Sequence, residues 1–195
     1  MNRLSKMLLR VSWCGMFAET ALAPLYTALA NRFGGDLLDA GIGYAIFSVA
    51  TGIFVMIAGS TMWFEKNKAR LVFWGFIMAG CCDLLYLIVV NKWQFFAVQV
   101  GLGLAIGMLD PAWDGLYSEQ SPDNESHGRR WAFASGGQKL FMGLAALTGG
   151  LIVSTIGFRW LFIVLAIVDA LAVYFAWRVL KTSKTTPSYG KSKTH

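Results

Sequence analysis

Six predominantly apolar stretches follow one another along the chain, at 7–30, 41–64, 71–90, 93–117, 131–155 and 158–180. About 20 such residues, rising roughly 1.5 Å each, cross a hydrocarbon layer of about 30 Å. Each stretch therefore has the length of a transmembrane helix, and the short connections between them hold most of the remaining charge. Of 195 residues, 56% are apolar and only 14% are charged. A soluble domain carries about 25% charged residues. That difference excludes a cytosolic globule, a nucleic-acid module and a disordered chain. Inside lipid every backbone polar group must be satisfied within its own segment, so the expected fold class is all-α and polytopic. A six-helix bundle is expected over 1–180, followed by a basic, disordered cytoplasmic tail over 181–195.

Basic residues set the orientation. Of the 17 Lys and Arg residues, Arg32, Lys92 and Arg159 fall on one side, Lys139 lies inside a span, and the rest gather on the other. Cytoplasmic loops carry the excess of Lys and Arg, which places both termini in the cytoplasm of a multi-pass cell-membrane protein. The first stretch has the basic start and Ala-x-Ala sites of a signal peptide. Arg10 and Glu19 nevertheless interrupt its core, and five more spans follow. Cys14, Cys81 and Cys82 sit in apolar runs without metal-ligand spacing, while His127 and His195 lie in a polar loop and at the end of the chain. No metal, cofactor or enzymatic triad is read from them. The sequon Asn124-Glu125-Ser126 falls on the cytoplasmic side.

The chain repeats itself. Laying 23–26 on 110–113 places Ala23-Pro24-Leu25-Tyr26 on Asp110-Pro111-Ala112-Trp113, with Leu29 on Leu116. One gap later Gly52 and Gly59 fall on Gly143 and Gly150. Arg70-Leu71-Val72-Phe73 then meets Arg159-Trp160-Leu161-Phe162, and Asp83 meets Asp169. Three helices is an odd number, so the two units, about 7–90 and 93–180, enter the membrane from opposite sides. Such a 3+3 inverted repeat is a recurring plan of secondary transporters.

With Ala23-Pro24-Leu25-Tyr26, Gly59, the basic segment 66–70, Gly101-x-Gly103-x-Ala105, Pro111-Ala112-Trp113, Gly149-Gly150 and Gly157-Phe158-Arg159-Trp160-x-Phe162, the chain resembles the N-terminal six-helix half of a major facilitator superfamily transporter. The resemblance covers nearly all of 7–180 and implies alternating access by two rocking bundles around a central cavity. It also marks a cytoplasmic gate loop at Gly59, Glu65, Lys66 and Arg70. There the sequence departs from the family pattern, because Trp63 and Phe64 stand where Asp and Arg are usual, and Glu65 follows. Ala97 replaces a fourth-helix Arg, and 145–150 reads Ala-Ala-Leu-Thr-Gly-Gly instead of Gly-Pro-x-x-Gly-Gly. The resemblance implies a full fold of two such halves, so a homodimer with its two-fold along the membrane normal, or a second six-helix half from another chain, is expected to enclose the cavity.

Charges inside spans are costly and mark function by default. Glu19 lies about eleven residues into the first span, roughly 16 Å deep, while Asp110 and Lys139 each lie about 12 Å from the cytoplasmic end of theirs. Asp110 and Asp114 share a helix face at i and i+4, so a cluster of Lys139 with either is expected, beside Gln138 and Gln99. That cluster could be a structural pair or a cavity site; Lys139 could also receive a substrate carboxylate. Asp83 and Asp169 match across the repeat and read as a helix-pairing device. Pro24 and Pro111 break the backbone ladder of the first and fourth helices. The function expected is alternating-access transport of a small molecule, cation- or proton-coupled. The alternative is a non-transporting membrane subunit that kept the half-fold as a scaffold.

Overall fold

A computed structural model of the chain describes residues 3–119 and 127–183, and among them every regular element is helical. The helices are α1 (Arg3–Leu22), α2 (Tyr26–Arg32), α3 (Leu37–Gly59), α4 (Met62–Leu85), α5 (Lys92–Glu119), α6 (His127–Ile156) and α7 (Phe158–Ser183). Four are long and apolar enough to cross a membrane: α3, α5, α6 from Trp131, and α7 to Thr182. Helices α1 and α4 have 20 and 24 residues but carry more charge, at Lys6, Arg10 and Glu19 in one and across 65–70 plus Asp83 in the other. The sequon and all but the first three residues of the expected tail lie outside the described residues.

Pro24 splits the first expected span. A 3-10 turn, Ala23–Leu25, separates α1 from α2, because proline lacks the N–H that a continuing helix needs. Pro111 stays inside α5, which runs on through it. The expected gate loop needs correction. Residues 65–70 are not a loop but the first turns of α4, and only Ser60 and Thr61 separate that helix from α3. Thr61 is extended, at φ −117° and ψ 125°, and starts the helix. Glu, Lys, Ala and Arg then continue it, as good helix formers do. Polarity alone made this stretch look like a loop.

The helices pack in an open series, α3 on α5, α5 on α4, α4 on α7, α7 on α1 and α1 on α6. Two apolar clusters hold the series together. One gathers Leu8, Val72, Phe76, Leu109, Trp113, Tyr117 and Val179; the other gathers Leu22, Leu29, Phe33, Tyr86, Phe95, Leu161 and Phe162. Each marks one end of the bundle. At the second end Lys92 binds Asp39 at 3.1 Å, and the Arg32 guanidinium lies 5.6 Å from the Phe158 ring. At the first, the Trp113 indole donates to the Leu8 carbonyl at 2.8 Å. Apart from α1 and α2, consecutive helices therefore run antiparallel, with the connections 33–36, 86–91 and Gly157 at one end.

Local chemistry fixes those connections. Asp36 and Asp39 cap α3 reciprocally, each side chain accepting the other's backbone N–H, at 2.9 and 3.1 Å. Gly157 takes φ 88°, which only glycine adopts freely, and so turns α6 into α7 through a single residue. Outward-facing apolar side chains are plentiful, among them Leu38 and Met56 on α3 and Leu140 and Leu147 on α6, all more than half exposed. In water this would be an untenable surface; in lipid it is the solvent-facing one.

Close helix contact rests on missing side chains. A Cβ at Gly103 would lie 2.5 Å from the Phe47 carbonyl oxygen of α3, so leucine there must push α3 from α5. Gly103→Leu is expected to lose about 1–3 kcal/mol in reversible unfolding from micelles. Gly128→Ala, with nothing within 4 Å, should stay within about 0.5 kcal/mol of wild type.

Candidate functional site: a carboxylate-lined cavity

The concave side of the helix series encloses a cavity of about 830 Å³. Helix α1 contributes Ser12 and Glu19, α3 contributes Tyr44 and Phe47, and α4 contributes Phe76, Asp83 and Tyr86. Helix α5 adds Gln99, Asp110, Trp113 and Asp114, α6 adds Gln138, and α7 adds Asp169. The in-span carboxyls of Glu19, Asp110 and Asp114 thus open on one space, and each of these residues is exposed there. Asp110 stands close enough to Glu19 and Asp114 for their charges to interact. The i, i+4 spacing on α5 aims both aspartates the same way. Gln138 donates to the Ser12 hydroxyl at 2.5 Å, joining α6 to α1.

Lys139 does not join them. It is exposed on α6 and makes no ion pair with Asp110 or Asp114, and no lysine or arginine lines the cavity among the described residues. One residue after Gln138 is a turn of about 100° around a helix, enough to carry the lysine from the concave to the outer face. The expected lysine–aspartate cluster is therefore replaced by three carboxyls without a basic partner. Pro24 and Pro111 border the cavity through their neighbours Ala23 and Asp110.

The sequence profile of the Major Facilitator Superfamily matches residues 8–195. The chain belongs to that superfamily. Its members are transporters, and the apolar helices make this member a multi-pass membrane protein. Among curated proteins no sequence matches it.

Within the segment expected to form the gate loop, the residue that makes long-range contacts is Lys68. Only 7% exposed, it reaches Glu65 at 2.5 Å and Glu119 at 2.8 Å, tying the start of α4 to the end of α5. Gly115 leaves room for its stem. Glu65 is half of that link; Lys66 is exposed, Arg70 only meets Asn67 at 3.1 Å, and Gly59 simply ends α3. The i, i+3 spacing of Glu65 and Lys68 was the available signal. Sequence reasoning also missed the aromatic wall. Tyr26 packs edge-on against Tyr44 at 5.9 Å, and Gln99 donates to the Tyr86 hydroxyl at 2.6 Å.

Burial alone would lower the Lys68 pKa, but the hydrogen bonds and charges of Glu119 and Glu65 outweigh it and hold the ammonium above its ordinary 10.5. A raised pKa means that the ion pairs stabilise the fold below pH 10.5 and stop doing so as pH climbs through the folded value. Both glutamates are more than half exposed, so the contribution is about 1 kcal/mol. Lys68→Met should lower the melting midpoint at neutral pH, and its deficit relative to wild type should shrink as melts are repeated at increasingly alkaline pH above 10.5.

Proposed function

We propose that the chain is a secondary transporter of small organic cations, working by alternating access as a homodimer of six-helix halves with both termini cytoplasmic. The observation that carries this reading is the cavity's makeup: three exposed carboxyls beside the buried Asp83 and Asp169, no basic side chain among the described residues, and Tyr26, Tyr44, Tyr86 and Trp113 in the walls. Carboxylates attract a cation, and aromatic faces add about 0.5–2 kcal/mol for a cation within 6 Å. Since Lys139 lies outside, nothing in the cavity favours an anionic substrate.

The 3+3 repeat has support in the packing order. The series α3, α5, α4, α7, α1, α6 reads the same when the unit holding α1, α3 and α4 is exchanged with the one holding α5, α6 and α7. A pseudo-two-fold would pass between α4 and α7. On this reading α1 with α2 forms the first span, α4 the third, and six spans result, with the basic side facing the cytoplasm.

Pairing is supported by what the outer faces carry. The series ends at α3 and α6, and several glycines there meet nothing within 4 Å: Gly52 and Gly59 on one, Gly136, Gly143 and Gly150 on the other. Exposed glycine inside a helix costs about 1 kcal/mol against alanine, and small residues in a stripe let membrane helices approach closely. Lys139 shares that stripe on α6. Facing lipid alone it would cost about 2.5–3.5 kcal/mol near a helix centre; a second copy would cover it.

Mass measurement in mild detergent is expected to give two chains per particle for wild type and one for Gly143→Leu with Gly150→Leu. A single chain for wild type would overturn the homodimer. In a thermal-shift screen of quaternary and primary amines, a ligand should raise the wild-type midpoint by an amount that grows with its concentration. Glu19→Gln should lose that shift and the matching uptake in proteoliposomes while remaining folded. Retained uptake in that variant would remove Glu19 from the binding site.

A further inference from the structure

The boundary between the two apolar clusters holds a second set of acidic groups, away from the three that line the open part of the cavity. On α7 the end-to-end change falls between Leu165 and Ala172, and on α4 between Phe76 and Cys82. Asp169 lies within the first of these intervals and Asp83 directly follows the second, 2% and 4% exposed. Their carboxyls lie close enough across the α4–α7 contact for their charges to interact. Gly80 permits the approach, for a Cβ there would lie 3.1 Å from the Asp169 Cβ. Both residues also touch the cavity.

This arrangement has a strict requirement. An ionised carboxylate only accepts hydrogen bonds, and a carboxyl donates one only when protonated. Asp169 Oδ2 is buried and has no hydrogen-bond partner among the described residues, so a proton held between the two carboxyls is what would satisfy it. No described lysine or arginine forms an ion pair with either aspartate. The titratable groups that interact with the pair are Cys14 on α1 and Cys82 and Tyr86 on α4, none of which brings positive charge. On α5, Asp110 interacts with Glu19 and Asp114, and α6 offers the cavity Gln138 and Met142. Two adjacent ionised carboxylates at this depth, with no compensating cation, would repel at low dielectric.

We propose that Asp83 and Asp169 form a proton-binding site, one proton shared between the two carboxyls on the seam between the three-helix units. When the proton leaves, the carboxyl O–H bond breaks, the proton passes to water in the cavity, and two carboxylates remain that push α4 and α7 apart. Because the pair titrates as a unit, the seam has a closed protonated form and a strained deprotonated one. That gives the chain a place where proton occupancy bears on helix packing. The use of this site for coupling rests on the transporter reading above; its existence does not.

Infrared difference spectroscopy of the full chain in lipid nanodiscs at neutral pH tests it, with no solute added. Asparagine supplies an N–H where the shared proton stood, so its partner ionises while the hydrogen bond survives. Asp83→Asn and Asp169→Asn should each lose one protonated-carboxyl C=O band per chain relative to wild type, with unchanged helical circular dichroism. Equal band intensity in wild type and both variants would overturn the proposal. If neither variant folds, the Asp110→Asn, Asp114→Asn chain labelled with 13C aspartate carries the test: an isotope-shifted protonated band supports the site and its absence overturns it. Since the band is read at rest, its loss or retention is independent of the amine uptake that tests the transporter reading.

Discussion

A carboxyl group surrounded by hydrocarbon is too costly to leave there, and this chain places five of them deep in its helices. Glu19, Asp110, Asp114, Asp83 and Asp169 all touch one cavity. Their solvation therefore depends on the helices curving around a space that water can enter. The packing order α3, α5, α4, α7, α1, α6 provides that space without any helix running through its centre. Apolar clusters at the two ends hold the curve, and the outward faces are left to lipid or to a second copy.

The two acidic sets solve the same problem differently. Glu19, Asp110 and Asp114 are exposed to the cavity and can exchange water for a ligand. Asp83 and Asp169 are shut between α4 and α7, where Asp169 Oδ2 has no hydrogen-bond partner among the described residues. The first set suits a visiting cation, because it presents charge in a partly apolar, aromatic setting. The second suits a proton, because both carboxyls are almost wholly buried and lie close enough for their charges to interact. An ion-pair brace of Lys68 with Glu65 and Glu119 ties α4 to its other neighbour, α5, at the end where the chain begins.

Much of this was legible in the sequence wherever one physical rule decided the matter. Hydropathy located the helices, because apolar length is what lipid demands. Glu19, Asp110 and Asp114 could be assigned to one cavity because an in-span carboxyl has few other destinations. The same rule failed for Lys139, since depth along a helix says nothing of direction around it, and a long lysine stem tolerates an outer face. It failed again at 65–70, where charge was read as loop although Thr61 starts a helix that those residues readily continue. Tyr26 and Tyr44 were invisible as cavity residues because aromatics are abundant and equally at home against lipid. The Asp83–Asp169 contact was suggested by matched repeat positions; its seclusion and its need for a proton required coordinates.

Gly157 is the whole of the link between α6 and α7. Two rods joined by one peptide unit cannot slide or separate at that end, only swing like the leaves of a book. If α6 leaves its neighbour α1, the widening is therefore confined to the far margin, where Trp131 stands beside Trp113 and Tyr117. The spine of this bundle is set by a glycine, and its free edge by three aromatic rings.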